Sequence, residues 1–193
     1  MQVNHRRSTT WQCRAFSAIF ASLLGGVALP ALAADQILLK LTGIVGDSAV
    51  DRHKGEIDLT AYSQAFRNTA NFGFGAGGGA GRAACGDISV LKNIDRSSPD
   101  LIMHVVTGRH ITDGLITFRR TTADGPQEFY TVRLTDVIVD AIEQADPAGE
   151  PGLSEKVSLK ARQFRFTYRA QLPDGRLGPE QSFGWDCVSN TRL

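Results

Sequence analysis

The residues that invite a chemical reading are a glycine tract, three scattered histidines, one aspartate beside a tryptophan, and two cysteines. Gly73-Phe74-Gly75-Ala76-Gly77-Gly78 has the spacing of a dinucleotide-binding fingerprint. That fingerprint needs a strand before it and a helix opening directly after it, so that a pyrophosphate meets free helix N–H groups. Here Gly81-Arg82-Ala83-Ala84 leads into Cys85-Gly86-Asp87-Ile88-Ser89-Val90-Leu91, which has strand character, and no Gly-Lys-Ser/Thr follows. The tract therefore reads as a linker between strands. His53, His104 and His110 lie far from any serine or cysteine nucleophile motif, and there is no His-Glu-x-x-His. Neither triad nor zinc hydrolysis has its parts. His53 has no second ligand at metal spacing and reads as a surface histidine. His104 and His110 read as partly buried or capping residues, and Asp186 beside Trp185 as a strand-edge charge. The sequence thus predicts no enzyme, no metal and no cofactor.

The cysteines need a compartment before they mean anything. His5, Arg6, Arg7 and Arg14 make a basic start, residues 15–29 are apolar, and Ala31-Leu32-Ala33 offers small residues where a signal peptidase reads them. This predicts a secretory signal peptide over 1–33 and one mature domain over 34–193. A membrane anchor is disfavoured because the apolar run is short and holds Gly25 and Gly26. Cys13 leaves with the leader, and Cys85 and Cys187 remain. In an oxidising compartment they are a disulfide candidate, with two separately buried thiols as the alternative. Closing a loop of roughly 100 residues is worth about 4–5 kcal/mol in the chain-entropy model. Removing Arg6, Arg7 and Arg14 from 21 basic residues leaves 18 against 20 acidic, a net charge of −2. No nucleic acid partner is implied, nor a membrane once the leader is gone.

Most of the mature chain alternates with a period of two. Residues 36–42 form a compact apolar run, residues 46–56 turn polar and read as an exposed loop, and residues 57–66 alternate as a half-exposed strand does. Strand character resumes through Ile88, Val90 and Ile94. Ser98 as N-cap, Pro99 at N1, Asp100 in the first turn and Gly108 past the end punctuate one short helix, with Leu101, Ile102, Val105 and Val106 as its apolar face. Residues 123–126 mark a hairpin. The apolar phase slips by one residue between Leu134 and Val137, and again between Ala161 and Phe164, as a bulge or a bend would require. The expected fold is mainly β: a small barrel of two curved antiparallel sheets with one short helix.

Several segments in this order resemble one family. Gly46-Asp47-Ser48 and Asp51-Arg52-His53-Lys54, the tract Gly77-Gly78-Gly79-Ala80-Gly81-Arg82, and Leu91-Lys92-Asn93-Ile94-Asp95-Arg96-Ser97-Ser98-Pro99-Asp100-Leu101 fall as they do in Hcp (haemolysin-coregulated) proteins. So do Leu134-Thr135-Asp136-Val137-Ile138-Val139, Glu155-Lys156-Val157-Ser158-Leu159 and Gly184-Trp185-Asp186. The resemblance covers essentially all of residues 35–190. It implies a barrel that assembles with itself into hexameric rings, stacked as the inner tube of a type VI secretion system of a Gram-negative bacterium. It also implies spike or sheath components and small effectors as partners. Asp47, Asp51, Arg52, His53 and Lys54 would reach neighbouring subunits, and Ser63 would face the lumen.

The leader sets this chain apart from tube proteins built in the cytoplasm. It predicts an exported relative in the periplasm or outside the cell, with a start read at Val27 or Leu29 as the alternative. A secreted, monomeric barrel that binds a ligand through Trp185 and Tyr62 is the competing function. Expression with the native leader followed by intact-mass analysis is expected to give a chain beginning at Ala34; retention of residues 1–33 would contradict the leader.

Overall fold

The computed structural model describes residues 35–68, 81–122, 125–146 and 152–193. The leader, the glycine tract and the tip of the 123–126 hairpin lie outside the described residues. The described chain forms β1 (Gln36–Leu41), β2 (Ile57–Leu59), β3 (Ala61–Asn68), β4 (Ala83–Asn93), α1 (Ser98–Thr107), β5 (His110–Thr122), β6 (Gly125–Ala145), β7 (Ser154–Gln171), β8 (Leu177–Asp186) and β9 (Thr191–Arg192). This is the mainly β architecture with one helix that the pattern predicts.

All pairings are antiparallel and belong to one branched sheet. The main path runs β2-β1-β5-β6-β7-β4-β3, and β8 leaves it by pairing with β7. The hydrogen-bonded path does not close. Its two ends, β2 and β3, are nevertheless consecutive in the chain and separated only by Thr60. Thr60 anchors that junction by donating its N–H to the Leu91 carbonyl at 2.8 Å and its hydroxyl to the same oxygen at 3.1 Å. Closure is therefore covalent, through one residue.

The two slips of apolar phase are parts of one crease. In β6 the buried residues change from Val132 and Leu134 to Val137 and Val139; in β7 they change from Val157 and Leu159 to Phe164. The same change occurs in β5, where Ile111 gives way to Gly114 and Ile116. The crossing points are register partners: Asp113 opposite Thr135, Thr135 opposite Gln163, and Gln163 opposite Asp186. The ladder of β6 with β7 keeps its register through this line, so no bulge lies there. The bend instead coincides with Asp136, whose φ is 55°. The register shifts of the long strands fall elsewhere, near Phe118/Arg119, Val139/Ala141 and Arg169/Gln171.

The helix departs from expectation in the face it buries. Ser97 rather than Ser98 takes the N-cap position, Gly108 closes the helix with φ 62°, and the buried residues are Ser98, Leu101 and His104. Ile102 and Val106 are exposed, Val106 by 75%. His104 satisfies its ring by pairing Nδ1 with the Asp100 carbonyl at 2.8 Å.

Beneath the helix start lies a charge in the core. Lys92 is 1% exposed, and its ammonium donates to Glu155 Oε2 at 2.8 Å and to Ser98 Oγ at 3.0 Å, with Asp95 Oδ1 at 2.9 Å. Gln144 donates to the other Glu155 oxygen at 2.6 Å, and Ser98 Oγ donates to Glu155 at 2.7 Å. Burial works to raise the carboxyl pKa of both Glu155 and Asp95, but hydrogen bonds and the Lys92 charge outweigh it and leave both below their ordinary values of 4.5 and 3.8. Their contribution is thus fully present above those ordinary values and lost as pH falls through the lower, folded ones. Denaturant titrations should therefore show stability falling below about pH 4, with a shallower fall in Glu155→Gln. Lys92→Met, which strands a buried carboxylate, is expected to cost about 3–5 kcal/mol; a loss below about 1 kcal/mol would contradict this account.

Candidate functional site

Three surface features are built by this frame: the 46–56 loop, an apolar groove, and the outer face of β3.

The loop is an ordered element pinned at both ends. Gly46 N–H donates to Gly55 O at 2.8 Å, Gly55 N–H to Ser48 O at 2.9 Å and Ser48 N–H to Glu56 O at 3.0 Å. Ser48 Oγ donates to Asp58 Oδ1 at 2.9 Å. Asp47 accepts from the Arg96 side chain at 2.6 Å and from its backbone N–H at 3.2 Å, tying the loop to the approach to α1. Asp51, Arg52 and Lys54 are exposed, and Arg52 takes a left-handed backbone at φ 67°.

His53 corrects the sequence reading. It is 6% exposed, not a surface histidine, with Nδ1 at 2.9 Å from Glu56 Oε2 and Nε2 at 3.2 Å from Glu128 Oε1. Buried polar atoms need partners, and one of these lies 75 residues away on β6, beyond the reach of local pattern. His53 therefore fastens the loop from beneath while its neighbours face solvent. His110 is also displaced from expectation: it is exposed and pairs with Asp136 at 2.6 Å. Among the described residues, no three His, Cys, Asp or Glu side chains are grouped so as to hold a metal ion.

Ser63 lies on β3, the terminal strand of the path, and is exposed. Its neighbour Tyr62 points inward, where burial pushes its hydroxyl pKa well above the ordinary tyrosine value, with nearby Tyr130 adding to the shift. Tyr62 meets Phe118 edge to face at 5.1 Å between ring centroids.

The groove is lined by Phe66, Ala83, Tyr130, Phe166, Phe183 and Trp185 and encloses about 530 Å³. Its walls are aromatic pairs: Phe66 edge-on to Phe166 at 5.5 Å, and Phe183 stacked on Trp185 at 6.1 Å. Phe66 and Phe183 remain nearly half exposed, at 48% and 46%. The sequence pattern singles out Trp185 but not the groove, because its rings come from four strands, β3, β6, β7 and β8, that no local spacing connects.

Beside the groove, Cys85 and Cys187 form a disulfide with 6.1 Å between Cα atoms and a sequence separation of 102. Asp186, next to it, is 4% exposed and accepts hydrogen bonds from Gln163, Ser189 N–H and Val188 N–H. These hold its carboxyl far below the usual range against the cost of burial. It is therefore a fixed anion that shapes the 186–190 turn, rather than a proton donor or a free edge charge.

The model of the family described as type VI secretion system effector, Hcp, matches residues 38–168, more than half of the chain. The chain belongs to the Hcp family. Protein hcp1 of Pseudomonas aeruginosa is 30% identical over 157 residues, covering 81% of this chain and 97% of that protein. Among solved structures, Hcp1 of Salmonella typhimurium superposes with a TM-score of 0.70 at 27% identity, covering 83% of this chain and 99% of that one. A structure described as a type six secretion system protein gives a TM-score of 0.78 at 21% identity, with 83% and 100% covered, a likeness of fold. The Hcp match thus spans the sheet path from within β1 into β7.

Replacing His53 by alanine is expected to lower stability by about 1–3 kcal/mol, because it leaves Glu56 buried without its partner. Hydrogen exchange should then quicken in 46–56 while β5 and β6 stay protected. Unchanged exchange in the loop would show that His53 does not fasten it.

Proposed function

We propose that this protein is an exported, ring-forming Hcp, working as a tube component of a type VI secretion system or as a secreted carrier with a central pore. The observation that carries this reading is the near-complete coverage of hcp1, 97% of its length. The work required is geometric rather than chemical: one surface patch must fit a different patch on the next copy, and the rotation must close.

Asp51, Arg52 and Lys54 are well placed for such a contact. They project from a loop whose base is immobilised by His53 and by the Asp47–Arg96 pair, so little ordering is needed when a neighbour binds. Asp47 takes part through its hold on Arg96. Ser63, on the exposed face of the terminal strand, is assigned to the lumen. Spike or sheath components and small effector proteins are the partners that follow from a tube role, and the space beyond the inner membrane is the proposed place of action.

Native mass spectrometry of protein expressed with its own leader tests the reading. A cleaved chain in a six-fold species supports it, and a cleaved monomer overturns it. Charge reversal at Asp51 and Lys54 should leave monomer stability within about 0.5 kcal/mol and reduce the ring population. Rings unaffected by both reversals would remove the loop from the interface.

A further inference from the structure

His53 is held between two carboxylates, and together they ask more of its ring than a neutral imidazole can give. Nδ1 lies 2.9 Å from Glu56 Oε2, and Nε2 lies 3.2 Å from Glu128 Oε1. An ionised carboxylate only accepts hydrogen bonds, whereas a neutral imidazole has one N–H and one lone pair. Both carboxylates are therefore satisfied only when both ring nitrogens carry protons. With a single proton, the bond goes to Glu56. Its side chain is 10% exposed and has no other hydrogen-bond partner among the described residues, whereas the Glu128 side chain is 44% exposed and meets water. The Nε2 lone pair then faces a carboxylate oxygen, and that contact turns repulsive.

Glu128 has a second seat. Its register partner across β5 and β6 is Arg119, and directly opposed residues share a face with Cβ atoms about 5 Å apart. Arg119 is 6% exposed, yet its Nε and Nη1 have no hydrogen-bond partner among the described residues. A buried guanidinium in that condition is costly and draws in an anion within reach. The other charged groups nearby are engaged or face solvent. On the loop, Asp51, Arg52 and Lys54 are exposed, as is Lys40 on β1. Asp58 on β2 is bonded by Ser48, and Arg120 on β5 by Asp35. Arg52, Arg169 and Glu180 line the same surface hollow as Glu128 and form no ion pair with Glu128 or His53.

We propose that Glu128 is a proton-controlled clasp on the 46–56 loop: when His53 is doubly protonated, Glu128 bonds Nε2 and ties the loop to β6; when His53 is singly protonated, Glu128 turns to Arg119 and releases that tie. Histidine ordinarily changes charge between about pH 5 and 8, so the loop is fastened at the acid end of that range and loosened at the alkaline end. The release is local. The loop keeps its ties from Asp47 to Arg96 and from Ser48 to Asp58. Ambient acidity thereby sets how firmly the charges of Asp51, Arg52 and Lys54 are presented. The clasp needs no second copy of the chain and acts alike in a monomer or a ring.

The test follows 15N-labelled mature protein from about pH 5.5 to about pH 8. The ring 15N shifts of His53 report which nitrogens carry protons. Hydrogen-exchange protection factors, corrected for the intrinsic effect of pH, report the loop. At the acid end both ring nitrogens are expected to be protonated. At the alkaline end only Nδ1 is, and protection in 46–56 falls about tenfold, as the loss of one charge-assisted hydrogen bond implies. Over the same range β5 and β6 keep their protection, and the Arg119 Nε–H becomes better protected. Glu128→Gln is the discriminating variant. Its amide donates to an unprotonated Nε2, so the loop is expected to stay protected at the alkaline end. A ring that keeps one protonation state throughout overturns the clasp, as does a loop whose protection ignores the change in the ring. An equal fall in Glu128→Gln and the unaltered protein also overturns it, since residue 128 would then not govern the release. Protection lost throughout β5 and β6 would make the transition global and overturn it too. An Arg119 Nε–H no better protected at the alkaline end overturns the hand-over to Arg119.

Discussion

An ammonium group removed from water is tolerated only where its charge and all its protons are answered, and Lys92 sets that condition on the whole fold. Its answering carboxylate, Glu155, is its own register partner across β4 and β7, so a slip of either strand would strand both charges. Such a pair adds little net stability over apolar residues, yet losing one member is costly. Its role is to specify. Ser98 and Asp95 join the same cluster and fix where α1 begins, and Gln144 brings in β6. The segment from Lys92 to Leu101 holds the fold's main decision, which register and helix start go together, within ten residues.

From that fixed point, two devices place the outer surfaces. Thr60 joins the two ends of the sheet path through the chain itself and sets β3, with Ser63 on its exposed face, at the rim of the closure. The crease through Asp113, Thr135 and Gln163 turns the sheet and meets Asp186, beside the place where β7 changes partners. The groove arises there because two arms must part around a bend. Its aromatic lining and the polar 46–56 loop are contrasting surfaces, one apolar and one charged.

What was legible in the sequence was whatever depends on period and punctuation. The strands, the helix with its proline and glycine, and both phase slips in β6 and β7 could be read because alternation reports which face of a strand is buried. The matching slip in β5 was harder to see, since Gly114 takes a buried position without an apolar side chain to mark it. Lys92 and His53 were illegible for a different reason. Each is a polar residue buried by a partner distant in the chain, Glu155 and Glu128, and no local pattern encodes such a partner. The helix misled in part: Leu101 is buried and Val105 packs against the core as the stripe predicts, but Ile102 and Val106 are exposed, and Ser98 and His104 take the other buried positions, with Ser98 Oγ and His104 Nδ1 hydrogen-bonded. The groove's rings likewise converge only after the crease is made.

The crease also constrains how this chain can change length. Each of three adjacent strands reverses its inside and outside at the same row, so one residue added to or removed from any one of them would leave its alternation correct on one side of the bend and inverted on the other. Neighbouring strands cannot compensate unless they change at the same row. Insertions and deletions are therefore excluded from the strand interiors near that row and directed to the connections between strands. A change of length is therefore accommodated most easily in the loops, and the sheet near the crease accepts substitution more readily than insertion.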